Sequence, residues 1–372
     1  MIPPDAEQFA ESLMYDDWAK QNPEKKTNGG RIGKEGEPAL IRFKSFAEFC
    51  QEYEPLAYTI EPLLRTSSLY TLTARTGHGK TALLVIIALA IATGRKDIIR
   101  LDVSKGRVGF LTFENPDDVR MRFMIAAYAL NILPSEINSR IMVLDARMKP
   151  ELVYAGLDRL AKDDPFSLVI VDTFAAFFDG DNTNDATQGG EFMRRMRPFT
   201  KIEGKPTTLI AAHPIKNAPE DNLLPYGSGA ILNEVDGNLT LWKNPNTGIV
   251  SLYWQGKLRG LDFDPIPFRF ESLSSPDLLD IKGRQFLLPV LRPCDAIMAE
   301  QREKAESEVD KALIKAMADN PDGSQADWGA AIGKPKGTVN RRLQGLKRLK
   351  LVEEGLGKWI LTPKGLKEAA NT

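Results

Sequence analysis

The feature that most constrains this chain is the run Ala74-Arg-Thr-Gly77-His-Gly79-Lys80-Thr81. It follows Ser68–Ala74 (SLYTLTA), which predicts a strand, and leads into an apolar stretch from Thr81 to Thr93 that predicts a buried helix ended by Gly94. A turn of the form GxxxxGK[ST] between a strand and a helix is suited to phosphate. Its glycines let backbone N–H groups curl around a β-phosphate, and the helix N-terminus favours the negative charge. Lys80 would supply a cation at the β/γ-phosphates, and the Thr81 hydroxyl would bind Mg²⁺. The contacting stretch runs from Ala74 through Arg75, Thr76, Gly77, His78 and Gly79 to Ala82, with His78 expected as a turn residue facing solvent. Ala74 stands where the pattern has its first glycine. The strand before and the helix after are the context that a chance GKT in a loop would lack.

Beyond this turn, strands and helices alternate. Strands are expected at Arg107–Phe113, Ile141–Leu144, Ser167–Val171 and Thr207–Ala212. Helices are expected at Val119–Leu130, Leu152–Lys162 and Glu191–Ile202. A β-hairpin is expected from Asn238–Trp242 and Ile249–Trp254 around the turn Asn244–Gly248. The continuous apolar run Ser167-Leu-Val-Ile-Val suits a parallel strand covered on both faces. The pattern therefore predicts an α/β domain with a mainly parallel sheet.

Open α/β sheets bind ligands outside the C-terminal ends of their strands. Three residues fall there. Asp172 ends its strand, where it would hold Mg²⁺ through water or, alternatively, cap the next turn. Glu114 follows its strand, where a carboxylate can orient or deprotonate an attacking water. The competing reading is a helix N-terminal charge, since Asn115-Pro116 opens a helix. His213 follows the last of these strands, as a sensor of the γ-phosphate or as a packed histidine. Lys257 and Arg259 end the hairpin and point to one side. They are either solvated charges or, for Arg259, an arginine finger reaching a neighbouring subunit's γ-phosphate.

Composition narrows the classes further. Of 372 residues, 42% are hydrophobic and 27% charged, as in a globular protein, and the net charge of −1 makes any basic contact surface local. Cys50 and Cys294 form no ligand pattern, and with only His78 and His213 beside them a Cys/His zinc site has too few ligands. No GxSxG elbow supports a Ser-His-Asp hydrolase. The most apolar run, Ala82–Thr93, is shorter than the roughly 20 residues that span a bilayer. No signal peptide is visible, so a cytoplasmic location without a membrane partner is expected.

Four segments are expected. Residues 1–44 form a polar arm, with one short helix around Phe9–Trp18. Residues 45–285 form the α/β domain, 286–308 a linker helix, and 309–372 a helix–turn–helix–hairpin unit. Within the last, Gln325–Ile332 and Gly337–Leu349 are the paired helices and Leu351–Leu361 the hairpin. Between Gly333 and Val352 lie seven basic residues (Lys334, Lys336, Arg341, Arg342, Lys347, Arg348, Lys350) and no acidic one. That surplus is an electrostatic footprint for phosphates.

Together these residues resemble the RecA-like P-loop ATPases, and most closely the RepA-type hexameric replicative helicases of plasmids and phages. The likeness covers roughly residues 45 to 272. It rests on GHGKT at 77–81, FEN at 113–115, LVIVD at 168–172 with FDGDNTNDA after it, AAHPIK at 211–216 and GSGAILNEVDG at 227–237. It implies a RecA-like P-loop NTPase core that hydrolyses ATP with Mg²⁺. Lys80 and Thr81 would sit on phosphate and Mg²⁺, Asp172 on Mg²⁺ via water, Glu114 would be catalytic and His213 the sensor. Where the family often carries an arginine this chain has Asp236-Gly237, so Lys257-x-Arg259, similar to the placement in DnaB-type helicases, becomes the candidate finger. The loops Phe178–Gly190 and Asn217–Gly229 would line a central channel, although neither is basic apart from Lys216 at the edge. The C-terminal unit resembles a winged helix, a fold that binds either DNA or protein. The resemblance implies a homo-oligomeric ring, a hexamer in that family, with DNA and an initiator or primase as partners. A RecA/RadA-like recombination ATPase and an ATP-gated DNA-binding regulator without unwinding are the other readings.

Overall fold

The computed structural model describes residues 43–183, 185–226, 229–355 and 358–370, with the side chains of 296–306 and of residue 348 left aside. The helix expected around Phe9–Trp18 lies outside the described residues.

The chain divides after Leu56 into two units. In the first, Ser45 and Glu48 close a capping box that starts the short helix α1 (Phe46–Gln51). No residue of α1 is buried, and Phe46 and Phe49 stay 77% and 67% exposed. The α/β unit thus begins at Ala57, later than the expected boundary at 45.

The second unit opens with β1 (Tyr58–Glu61), β2 (Leu64–Arg65) and β3 (Leu69–Thr73), followed by helix α2 (Lys80–Thr93). Then come β4 (Asp102–Val103), β5 (Arg107–Thr112), α3 (Pro116–Ala129), α4 (Pro134–Ile137), β6 (Ile141–Leu144), α5 (Pro150–Ala161) and β7 (Phe166–Asp172). The chain continues through α6 (Phe174–Phe177), α7 (Ala186–Met196), β8 (Thr207–Ala212), α8 (Gly229–Glu234), β9 (Gly237–Lys243), β10 (Ile249–Leu258), β11 (Ile266–Leu273) and β12 (Leu288–Pro293).

Nine strands make one sheet in the order β12-β11-β10-β9-β3-β8-β7-β5-β6. From β9 to β6 every neighbouring pair is parallel, while β9, β10, β11 and β12 pair antiparallel in succession. Strands β3, β5 and β8 are buried throughout, and β7 at every residue but Ser167, because helices cover both faces. On one face lies α2, buried from Ala82 to Ala92. A helix apolar all round has no polar side to give to water, so only a central position satisfies it. On the other face Phe174, Phe177, Phe192, Met193 and Phe199 form a second core.

Three expectations are corrected here. The helix expected over Glu191–Ile202 starts earlier, because the Asp185 side chain caps the N–H groups of Thr187 and Gln188. It becomes a 3₁₀ turn at Arg197–Lys201, where Pro198 cannot donate to an α-helical ladder. Strands β11 and β12 were not anticipated, so the sheet runs to Pro293, past the expected end at 285. The segment 286–308 is accordingly edge strand first and helix only from Ala296. A three-stranded sheet of β2, β1 and β4 was also not anticipated.

The C-terminal unit consists of α9 (Ala296–Asp319), α10 (Gln325–Ala331), α11 (Lys336–Arg348), the hairpin β13 (Val352–Gly355) and β14 (Lys358–Leu361), and α12 (Pro363–Ala370). It has its own core, in which Leu313, Trp328, Val339, Leu343 and Trp359 meet.

Candidate functional site

The order β3-β8-β7-β5 brings the turn after β3, His213 after β8, Asp172 at the end of β7 and Glu114 after β5 to one edge of the sheet. They line a single cavity of about 500 Å³ together with Arg75, Thr76, Gly77, Gly79, Thr81 and Ala82.

The turn takes its shape from two glycines. Gly77 and Gly79 have φ of 80° and 104°, conformations that side chains resist. A Cβ on Gly79 would also lie 2.7 Å from Cζ of Phe270 on β11. Ala74, by contrast, has no positive φ and is fully buried, with its N–H on the Ala212 carbonyl. The position at which the chain departs from the glycine pattern is therefore one that an L-residue occupies without strain. Gly79 also caps α2 without any side-chain bond, which leaves the first N–H groups of a fourteen-residue helix turned to the cavity.

Lys80 is buried at the mouth of this helix. Its ammonium donates to the Ala74 carbonyl at 2.7 Å and lies 3.3 Å from Nδ1 of His213. Burial pushes its pKa down to about 8, although Asp172 and Glu114 pull the other way. Burial and the Lys80 charge hold His213 below its usual value, so the imidazole stays neutral at pH 7. The His213 carbonyl accepts from Tyr226 N–H at 2.7 Å, and Pro214 bridges Pro225. The histidine is thus tied to Lys80 on one side and to the loop behind it on the other.

Asp172 is 3% exposed and sits opposite Thr112 in the β5–β7 register. Burial raises its pKa to about 6, with Glu114 adding to the rise and a hydrogen bond from Thr81 opposing it. Its Oδ1 has no hydrogen-bond partner. A buried carboxylate oxygen without a donor, beside a threonine hydroxyl, is a donor set of hard oxygens that fits Mg²⁺. Glu114 is exposed to the cavity, and its Oε2 accepts from Oγ1 of Thr173 at 3.1 Å. The N-cap of α3 is Asn115, which accepts from Asp118 N–H, with Pro116 at the first helical position. Capping is therefore already done by Asn115, and Glu114 is left to face the cavity.

His78 does not face solvent as expected. Its Nδ1 accepts from Lys243 N–H at 3.0 Å, and its ring meets Trp242 edge-on at 4.8 Å. Burial together with Arg75, Lys80 and Lys243 pushes its pKa down to about 4. The far wall of the cavity was also missed from the sequence. Lys243, Phe270, Ser272 and Pro289 close it, and they come from β9, β11 and β12. No motif marks them, and only the pairing of these strands brings them there.

Arg259 and Lys257 lie at the other end of the sheet. Leu258 pairs with Gly237, which pairs with Tyr70 near the start of β3. Arg259 donates to Asp236 at 3.1 Å, and the ammonium of Lys257 donates to the Leu232 and Asn233 carbonyls at 2.9 Å. They take no part in their own chain's cavity. Arg342, one of the basic residues of the C-terminal unit, is 2% exposed and paired with Asp310, so it contributes nothing to that unit's outer face.

No helix among the described residues is long and apolar enough to cross a membrane. No curated protein matches the chain. Residues 37–219, which include the glycine turn, Glu114, Asp172 and His213, match the family model described as an AAA domain. That stretch is thus similar to an AAA domain, and a cradle of this geometry fits the core of a P-loop nucleotide-binding protein.

Proposed function

We propose that the chain is an ATP-hydrolysing motor that acts on DNA, a replicative helicase of the RepA-like kind from a plasmid, phage or integrated element. The observation that carries the hydrolytic part is the convergence of Lys80, Thr81, Glu114, Asp172 and His213 on one cavity at the C-terminal edge of the sheet. The DNA part is supported by the resemblance and by the basic residues clustered between Gly333 and Val352.

In this reading the N–H groups of the turn and of α2's first residues hold the β-phosphate, and Lys80 exchanges the Ala74 carbonyl for phosphate oxygens. Thr81 and Asp172 would hold Mg²⁺, which neutralises charge on the β- and γ-phosphates. Glu114, fixed by Thr173, orients the attacking water and accepts its proton. Neutral His213 follows the displacement of Lys80 and relays it through its carbonyl to the loop ending at Tyr226. Phe270 and Pro289 supply an apolar wall where the nucleoside lies. Arg259, remote from its own cradle, acts on a neighbour's γ-phosphate in a ring.

Strand displacement on a forked duplex with ATP and Mg²⁺ tests the reading. The motor displaces strands and Lys80→Ala abolishes it. Nucleotide-dependent duplex binding without displacement would instead favour the DNA-binding regulator.

A further inference from the structure

The nucleotide cavity and the C-terminal unit share one short piece of chain, the β9–β10 hairpin. At its base, Lys243 lines the cavity and its N–H is held by His78 of the glycine turn. The guanidinium of Arg75 lies 5.2 Å from the ring centroid of Trp242, one residue earlier. The tip is stiff. The Asn244 side chain accepts from the N–H groups of Asn246 and Thr247, and its carbonyl accepts from Gly248 N–H. Against this tip sits α11. Arg342 reaches the Asn246 carbonyl at 2.8 Å with one nitrogen while its others grip Asp310 of α9. One turn on, Gly345 backs onto the same residue so closely that a Cβ would lie 2.7 Å from Asn246 Oδ1. Lys336 and Arg341 remain exposed on the outer face of α11.

We infer that the β9–β10 hairpin is a coupling arm, by which nucleotide at the P-loop changes the seating of α11 and hence the presentation of its basic face to a polyanion. The inference rests on the nucleotide reading above and adds a regulation to it. The physical ground is that the glycine turn that would take the polyphosphate also holds the arm, through His78 on the Lys243 N–H and Arg75 over Trp242. Lys80 leaves its carbonyl, the turn tightens on phosphate, and the Lys243 ammonium gains an anionic neighbour. Only Asn244 and Pro245 separate Lys243 from Asn246, and they lie in a closed turn, so movement at the base is carried to the tip. A two-state element biased from both ends is what thermodynamic linkage requires. By reciprocity, a polyanion on α11 alters nucleotide affinity by the same factor, in the range of about 5- to 150-fold for such couplings.

Hydrogen exchange of the full chain, with and without a non-hydrolysable ATP analogue and Mg²⁺, tests this. Two variants undock the tip by different means. Arg342→Lys keeps a cation for Asp310 but loses the arm to Asn246. Gly345→Leu leaves Arg342 intact and fills the contact with side chain. In the parent chain, nucleotide should change exchange in 74–81, in 243–249 and in 336–348. In both variants the change at 74–81 and 243–249 should persist while that at 336–348 disappears. A parent chain that responds at 74–81 but not at 336–348 overturns the inference and leaves the nucleotide site standing. Variants that still respond at 336–348 overturn the hairpin route. No response at 74–81 removes the nucleotide reading itself and the inference with it.

Discussion

Thr173→Val isolates the positioning of Glu114 from everything else in the cradle. The substitution keeps shape and β-branching and removes one hydroxyl. Thr173 caps no helix with that hydroxyl, although it stands at the N-cap of α6, so the backbone loses nothing. What is lost is the 3.1 Å bond to Glu114 Oε2. A hydrogen bond to a charged group contributes ~1.5–3 kcal/mol. Glu114 is exposed, so water recovers part of this, and about 1 kcal/mol remains as lost orientation. At 1.36 kcal/mol per decade, kcat should fall about five- to tenfold. The phosphate contacts are untouched, so KM for ATP should stay within about twofold. Steady-state ATPase measurements with saturating Mg²⁺ read both constants. An unchanged kcat would mean that Glu114 finds its working position without Thr173. A raised KM at unchanged kcat would assign Thr173 to binding and refute the argument.

Further outcomes follow from the same geometry. Lys80 carries its charge below its depressed pKa of about 8 and loses it above, so nucleotide affinity should fall as pH rises through that value. Asp172 is protonated below about 6, so Mg²⁺-dependent turnover should fall as pH drops through that value, and nucleotide affinity constant from about pH 7 to about 9 would contradict the Lys80 assignment. Arg341→Ala should weaken duplex binding and flatten its salt slope by about one unit, since each phosphate contact contributes about 0.9. Arg342→Ala should instead destabilise the C-terminal unit by about 2–4 kcal/mol, because Asp310, only 13% exposed, loses this guanidinium. Urea unfolding followed by circular dichroism reads that loss, and a parent-like midpoint would refute it.

The parts of the site legible in the sequence are those whose signal is local. Gly77 to Thr81 sits between a strand and a helix, and Asp172 and His213 each end an apolar run, so strand, turn and place at the sheet's edge can be read within ten or so residues. The far wall was not legible. The run Ile266–Leu273 interleaves Pro267, Arg269 and Glu271 with its apolar residues, and Phe270 reaches Gly79 only because β11 folds back on β10. Distance along the chain hid the rest. His78 reads as a solvent-facing turn residue until Lys243 arrives from 165 positions away. Arg342 reads as one of seven surface cations until Asp310 and Asn246, 32 and 96 positions away, enclose it. The sheet end at Pro293 was missed because β12 follows a polar stretch around Gly283 and carries two prolines.

The central claim is that the turn at Gly77–Thr81 holds ATP and that Glu114 acts on it. Equilibrium ATP binding and Mg²⁺-dependent hydrolysis, measured side by side on the parent chain, Lys80→Ala and Glu114→Gln, test it most directly. The account predicts that Glu114→Gln binds ATP like the parent while turning over about 10²–10⁴ times more slowly, the range for loss of a general base. It predicts that Lys80→Ala loses binding and hydrolysis together. Parent-like binding and turnover in both variants would contradict it.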